Sequence, residues 1–394
     1  MRNSVVVAGA GIGGLSLAHC LAEEGVAVQV LERFEEVREV GAGILLGPNA
    51  SSVLYRRGLG EALERVSAPM TKVGIGSNRG ELFVTRELKS EEWPGPFRMI
   101  HRAALQATLY DAAQGAPEVE VHLGAAVQGF ESVAEQGVRV LRGGGTGLEG
   151  VALIGCDGLN SAVRRQLHPA EPAPRYLGYT CWRGITEPFE HPGFEHGALW
   201  ELQGHGLRVG VSYVDESRVY WWATANAAEG GRDGEDVRAE LVARYRDFPD
   251  YFLAMVEGTQ AAHILRNDIY DRPPRQDWGR GVVTLLGDAA HPMAPNLGQG
   301  ACSAIEDAAL LAARLGEVLK RGGASDEEVS AALRRYEGER VERTAMLQKR
   351  SRQLGVVGQW SSAPAVWLRE AAMRRAPVSV LEEQQAVIWG YEAG

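Results

Sequence analysis

Cysteine is scarce in this chain, with four among 394 residues. Cys20, Cys156, Cys181 and Cys302 lie far apart, form no CxxC pair and have no histidine at metal-ligand spacing. That excludes a recognisable zinc site or dithiol redox centre and fits a reducing, cytoplasmic setting. No apolar run approaches the roughly 20 residues needed to span a bilayer. Internal repeats and low-complexity tracts are also missing. The stretch from Ser4 to Ala22 has the apolar character of a secretory leader, but no small-residue cleavage pattern follows it. Positive charge is in deficit, 41 Lys and Arg against 51 Asp and Glu, for a net charge of -10. Such a surface repels nucleic acid and anionic membranes on average, which leaves a small molecule as the expected partner.

What is present is a chain with 45% hydrophobic residues, long enough for two packed cores. Val5, Val6 and Val7 form a continuous β-branched run suited to a strand buried on both faces, Leu15 to Glu24 reads as a helix, and Val26 to Leu31 completes a βαβ unit. The segment Gly41 to Asn49 mixes glycine, proline and aliphatics, which predicts a loop or short strand and no helix. Short runs between Thr71 and Phe97 predict a departure into a sheet, and the helix near Arg102 a return. Val119 to His122, Val127 to Ser132 and Val138 to Leu141 read as strands, with Gly143 to Gly150 as a hairpin tip leading into Val151 to Ile154. Strand patterns dominate from Gly178 to Asn226. A helix follows around Asp236 to Val256, then a buried strand at Val282 to Leu286, a helix from Cys302 to Lys320, and amphipathic helices from Asp326 onward.

Three constellations carry chemistry. Gly9, Gly11 and Gly14 stand in the spacing GxGxxG directly after a strand and before a helix, where glycine permits a tight turn, close backbone approach to a pyrophosphate, and helix–strand packing. Glu32, about 20 residues on at the end of the second strand, can accept hydrogen bonds from ribose hydroxyls. The second constellation is Asp157-Gly158-Leu159-Asn160-Ser161-Ala162-Val163-Arg164, which by itself reads as a turn with Ser161 as a helix cap. The third is Gly287-Asp288-Ala289-Ala290-His291-Pro292 followed by Pro295-Asn296-Leu297-Gly298-Gln299-Gly300. Here a carboxylate ends a buried strand and a glycine-rich turn opens a helix. His291 reads as a packed, hydrogen-bonded residue.

Taken together these segments resemble the flavin-dependent aromatic hydroxylases typified by para-hydroxybenzoate hydroxylase. PNLGQG with Ile305-Glu306-Asp307-Ala308 is similar to the branch containing zeaxanthin epoxidase and urate hydroxylase. The resemblance runs from Val5 to about Arg340. It implies a Rossmann-like α/β domain that holds FAD, built from 1–70, 98–176 and 270–350, a mixed β-sheet substrate domain from 71–97 and 177–269, and a helical segment 351–394. It further implies that Asp288 meets the ribityl chain, that Arg102 contacts the FAD phosphates, and that Ala42 and Gly43 run beside the isoalloxazine. The Val127 backbone would meet the adenine, and Gly298, Gly300 and Ala301 would offer N–H groups to the flavin ring. Gly13, Arg33 and Asp157 complete the expected FAD set.

The reaction implied is monooxygenation. NADH or NADPH reduces the flavin, O2 adds at C4a as the hydroperoxide, and one oxygen atom passes to an aromatic or other electron-rich substrate by hydroxylation or epoxidation. No second GxGxxG unit follows a strand, so the nicotinamide is expected to bind transiently. A flavin halogenase or reductase is the rival enzyme, opposed by the absence of a WxWxIP segment, and an FAD-binding redox sensor the non-enzymatic rival. Trp182, Arg183, Trp221 and Pro295 are the expected pocket residues, with Arg183 the candidate for substrate activation. Alternation along a strand sends Trp221 and Trp222 to opposite faces, so at most one lines a pocket. Arg352, Arg369, Arg374 and Arg375 read as a solvated helical face. The assembly is expected to be a monomer or homodimer with no integral membrane association.

Overall fold

The computed structural model describes residues 4–36, 42–133, 137–143, 147–376 and 378–393. Gly41 and the hairpin-tip residues 144–146 of the expected pattern lie outside these. Five parallel strands form the first sheet, in the order Val283–Leu285, Ala152–Gly155, Val5–Ala8, Val28–Leu31 and Val119–His122. Every residue of Val5–Ala8 and of Val28–Leu31 is buried, as expected of strands covered on both faces. The helix Ile12–Glu23 packs against Gly300–Leu319, and the contact is close because Gly13 has no side chain: a Cβ there would lie 2.7 Å from Leu286 and 3.2 Å from Ala304. Val5–Ala8 is the point where chain order along the sheet reverses, and the crevice beyond its carboxyl end is where such sheets bind ligands.

The second sheet has seven strands in the order Leu265–Asp271, Arg175–Ile185, Val219–Asn226, Leu207–Tyr213, Ala198–Gln203, Lys72–Ser77 and Leu82–Glu87. Its pairs are antiparallel except Ala198–Gln203 with Lys72–Ser77. One face is covered by helices Val237–Arg244 and Asp250–Glu257, which replace the single helix expected over this stretch because Pro249 caps the second and breaks the run. The other face turns toward the first sheet.

Between the two sheets lies a three-stranded ribbon, Gly43–Leu46, Arg98–His101 and Ser67–Pro69. Gly43–Leu46 matches the expected short strand. The next residues differ from expectation, because Pro48 opens a helix, Pro48–Arg56, at the position where its missing N–H costs nothing. After Ser325, whose side chain forms a capping box with Glu328, the helix Asp326–Gly358 runs back across the molecule. Helices Ala363–Arg375 and Val378–Trp389 follow. Arg369 departs from its expected solvated role: it is 2% exposed and donates to the carbonyls of Val357, Gly358 and Gly204. A guanidinium placed at the end of the preceding helix satisfies carbonyls that no further helical turn can reach. Arg374 pairs with Glu81, and Arg352 with Asp271. Among the described residues no helix is long and apolar enough to cross a membrane.

Candidate active site

Three carboxylates stand just past the carboxyl ends of three parallel strands: Glu32 after Val28–Leu31, Asp157 after Ala152–Gly155 and Asp288 after Val283–Leu285. The glycine turn lies between them. Gly9 adopts φ +107°, and a Cβ there would sit 2.6 Å from the Cys156 carbonyl oxygen. A Cβ on Gly14 would lie 1.9 Å from the Gly9 carbonyl oxygen, so both glycines are dictated by the backbone itself. Gly11 differs, since nothing lies within 4 Å of its Cβ position. It faces open space at the start of a helix, where a diphosphate would approach.

The Glu32 carboxylate accepts from the Ala10 N–H at 2.8 Å and the Phe34 N–H at 3.1 Å, and is thereby aimed across the turn. Asp157 uses Oδ2 to accept from the Ala162 N–H at 2.7 Å, while its Oδ1 is buried without a partner. A buried acceptor left open beside Gly9 calls for a ligand or water donor. Ser161 caps the following helix by accepting from the Arg164 N–H at 2.9 Å. Arg164 is the buried anchor of this region: it pairs with Glu171 and donates to the carbonyls of Ala289 and Ala290, both at 2.8 Å. The Arg164 guanidinium thus fixes the loop that carries Asp288.

Asp288 opens into the crevice, and the surrounding protein raises its carboxyl above the ordinary range, with His291 and Arg102 opposing that shift. Arg102 is exposed at the start of helix Arg102–Gln114. The turn after Pro295–Leu297 reaches the left-handed region at Gly298 (φ +63°) and leads into Gly300–Leu319, whose first N–H groups point out of the fold beside Asp288. Beneath it lies an ionic cluster that sequence reasoning did not foresee. Arg340 pairs with Glu306 and Asp307 at 2.6 Å each, and all three are fully buried. His291 bonds Asp307 at 2.6 Å, consistent with a packed histidine. Burial would raise the Asp307 carboxyl, but His291 and Arg340 outweigh it and hold it at about 2.

Arg33 is exposed against Phe34, and Val127 is half-buried in Val127–Ser132 against the core of the first domain. The residues present fit FAD: an open diphosphate turn, a carboxylate at ribose distance along the fold, an orphaned acceptor, and free helix N–H groups beyond Asp288. When bound, FAD supplies hydride acceptance and oxygen activation.

The pocket assignments need correction. Trp182 and Trp221 lie on the helix-covered face of the seven-stranded sheet, away from the crevice. Trp182 donates to Asp233 and Trp221 to Thr259, both at 2.9 Å. The register explains this: Trp182 pairs with Ala223 and Gly184 with Trp221, so these four share one face, while Arg183 and Trp222, paired with each other, share the other. Trp222 therefore lies on the face away from those helices, and its ring lies over Gly210, where a Cβ would come within 1.8 Å of it. Arg183 is half-buried, donates to Asn267 at 3.1 Å, and lies against the Tyr220 hydroxyl. Pro295 is exposed at the head of its turn.

A family model described as FAD binding domain matches residues 2–351. The chain is 40% identical over 373 residues to the aurachin C monooxygenase/isomerase of Stigmatella aurantiaca, covering 94% of each chain. It is 30% identical over 378 residues to the 2-heptyl-3-hydroxy-4(1H)-quinolone synthase of Pseudomonas aeruginosa, covering 95% of this chain and 94% of the other. The solved structure of Klebsiella pneumoniae HpxO complexed with FAD and uric acid superposes with a TM-score of 0.86 at 28% identity, covering 98% of this chain and 97% of that one. The chain belongs to the FAD-binding-domain family, as an FAD-dependent oxidoreductase of the monooxygenase class.

Proposed function

We propose that this enzyme uses NADH or NADPH and O2 to place one oxygen atom on a bicyclic nitrogen heteroaromatic of the quinolone type, the ring named in one of its relatives. One observation carries the reading. The crevice-facing side of the second sheet is apolar and aromatic, with Tyr220, Trp222 and Leu199 opposite Ala42, Leu45 and Leu297 of the flavin-side segments. Such residues suit a flat, electron-rich ring, and their low polarity keeps water from competing for the activated oxygen.

In this reading Glu32, Asp157, Arg102 and Asp288 hold FAD, with Gly9, Gly11, Gly13 and Gly14 shaping the diphosphate turn and Gly298, Gly300 and Ala301 presenting N–H groups to the flavin. Arg183 is a cation on the same sheet face as Tyr220 and Trp222. Its charge favours the anionic form of a ring hydroxyl, which makes the ring a better target for an electrophilic oxygen. Burial raises the Tyr220 hydroxyl above its ordinary value while Arg183 opposes that, so Tyr220 stays protonated and can donate to such an anion. The enzyme acts in the cytoplasm as a monomer or homodimer. The test is a screen of quinolones, phenolic acids and purines for acceleration of NAD(P)H oxidation, with product mass. A quinolone product heavier by one oxygen supports the reading. Acceleration by purines or phenolic acids alone overturns the ring assignment.

A further inference from the structure

The helix Ala363–Arg375 has its polarity reversed. Its inward face carries Val366 and Arg369, 4% and 2% exposed, and the Arg369 guanidinium spends its donors on the carbonyls of Val357, Gly358 and Gly204. Its outward face carries Pro364, Trp367, Leu368, Ala372 and Arg375, which the three- and four-residue steps of a helix bring into one row. Trp367 is 70% exposed and Leu368 55%. The end of the preceding helix behaves likewise, with Leu354 48% and Val356 57% exposed. Six large hydrophobic side chains stand exposed among the described residues, and four of them fall between Leu354 and Leu368. Single exposed apolar residues need no explanation, but a concentration of them on two helices tied together by one buried arginine marks an interaction surface.

The charge of the same stretch says what partner fits. Residues 349–375 hold six Lys and Arg against a single Glu, in a chain that carries 41 against 51 acidic residues. Arg352 and Arg374 pair with Asp271 and Glu81, whereas Lys349 and Arg375 are exposed, the latter closing the apolar row. A second copy offering the same patch would bring like charge against like. The outward row is also small, about 17 Å long by roughly 10 Å wide, against the ~800 Å² that each partner gives to a stable protein interface. A bilayer surface meets neither limit. Its headgroup layer accepts a tryptophan ring and a leucine beside arginine and lysine, and anionic lipid supplies the opposite charge.

We infer that the outward face of Ala363–Arg375, with the exposed end of Asp326–Gly358, docks this enzyme on the surface of an anionic lipid bilayer, Trp367 and Leu368 entering the headgroup layer. The contact is peripheral: no described helix is long and apolar enough to cross a membrane, and the negative charge of the rest of the chain turns the remaining surface away from the same lipids.

The test is co-sedimentation of the FAD-loaded enzyme with vesicles of phosphatidylcholine alone and of phosphatidylcholine mixed with phosphatidylglycerol, beside sedimentation velocity without lipid. The wild type should bind the phosphatidylglycerol vesicles roughly tenfold or more tighter than the neutral ones, and less tightly as salt rises. Trp367→Ser should weaken that binding roughly tenfold, Trp367→Phe should retain most of it, and Lys349→Gln combined with Arg375→Gln should weaken it several-fold. Because the substituted side chains are exposed, all these variants should keep the wild type's FAD content, unfolding temperature and rate of NAD(P)H oxidation. No binding to phosphatidylglycerol vesicles, or binding that Trp367→Ser leaves unchanged, overturns the inference. A dimer that Trp367→Ser dissociates, formed by an enzyme that ignores vesicles, assigns the face to a second copy and overturns it too.

Discussion

The two sheets of this protein are specified in different ways. In the first, backbone geometry dictates the residue: Gly14 lies against the Gly9 carbonyl, and Glu32, Asp157 and Asp288 occupy fixed steps beyond adjacent strand ends. In the second, side chains on two apolar faces decide which side meets the ligand, and the backbone permits either choice. A cofactor shared by many proteins constrains positions, whereas a substrate peculiar to a few constrains shape.

The sharpest way to break this comparison is within the first sheet. Gly14→Ala should cost about 3 kcal/mol or more through overpacking against the Gly9 carbonyl, and yield protein without FAD. Gly11→Ala should leave the unfolding temperature of the apoprotein nearly unchanged and weaken FAD alone, as titration of apoprotein with FAD would show. Equal thermal losses for both would contradict the distinction between a packing glycine and a ligand-facing one.

Next in size is Arg164→Met. Glu171 keeps Arg272 and Arg275 as partners, but the Ala289 and Ala290 carbonyls lose their donor. A destabilisation of about 3 kcal/mol, seen in denaturant unfolding, is expected together with faster FAD release, because the Asp288 loop loosens. On the second sheet, Trp221→Phe removes the bond to Thr259 and leaves a void, for a loss of about 2 kcal/mol. Trp222→Phe should instead leave stability nearly intact and raise the substrate's KM. An exchange of these two outcomes would reverse the assignment of the faces.

Acid sensitivity should separate the sheets more finely. Asp307, held at about 2 against an ordinary 3.8, stabilises the fold above the ordinary value, and this contribution is lost as pH falls toward 2. Asp307→Asn should therefore be less stable than wild type at pH 5, with the gap narrowing as pH falls from about 4 toward 2 in urea titrations. The smallest structural effect is expected for Arg183→Met: unchanged FAD content and stability, with more NAD(P)H consumed as peroxide per product and an altered pH profile. Unaltered coupling and pH profile would remove Arg183 from substrate activation.

The cofactor half was legible because its glycines and acids sit where periodicity changes from strand to helix, and each such change has few solutions. The phase of the second sheet was not. Alternation placed Trp221 and Trp222 on opposite faces, but both faces are apolar, so the pattern held no sign of which one the helices Val237–Arg244 and Asp250–Glu257 would cover. Only the pairing of Arg183 with Trp222 resolves it. Arg369 was misread for a related reason, since its partners are carbonyls at a helix end and in a loop that sequence spacing does not reveal. The contact of Trp389 with Gly47 carried no local signal at all, because it arises from a helix that returns from the end of the chain.

Product analysis under isotopically labelled dioxygen, with a quinolone that accelerates NAD(P)H oxidation, tests the central claim most directly. An oxygenated product carrying one labelled atom, formed in step with NAD(P)H consumed, is expected. Peroxide as the sole fate of the oxygen, with every accelerating ligand recovered unchanged, would contradict it.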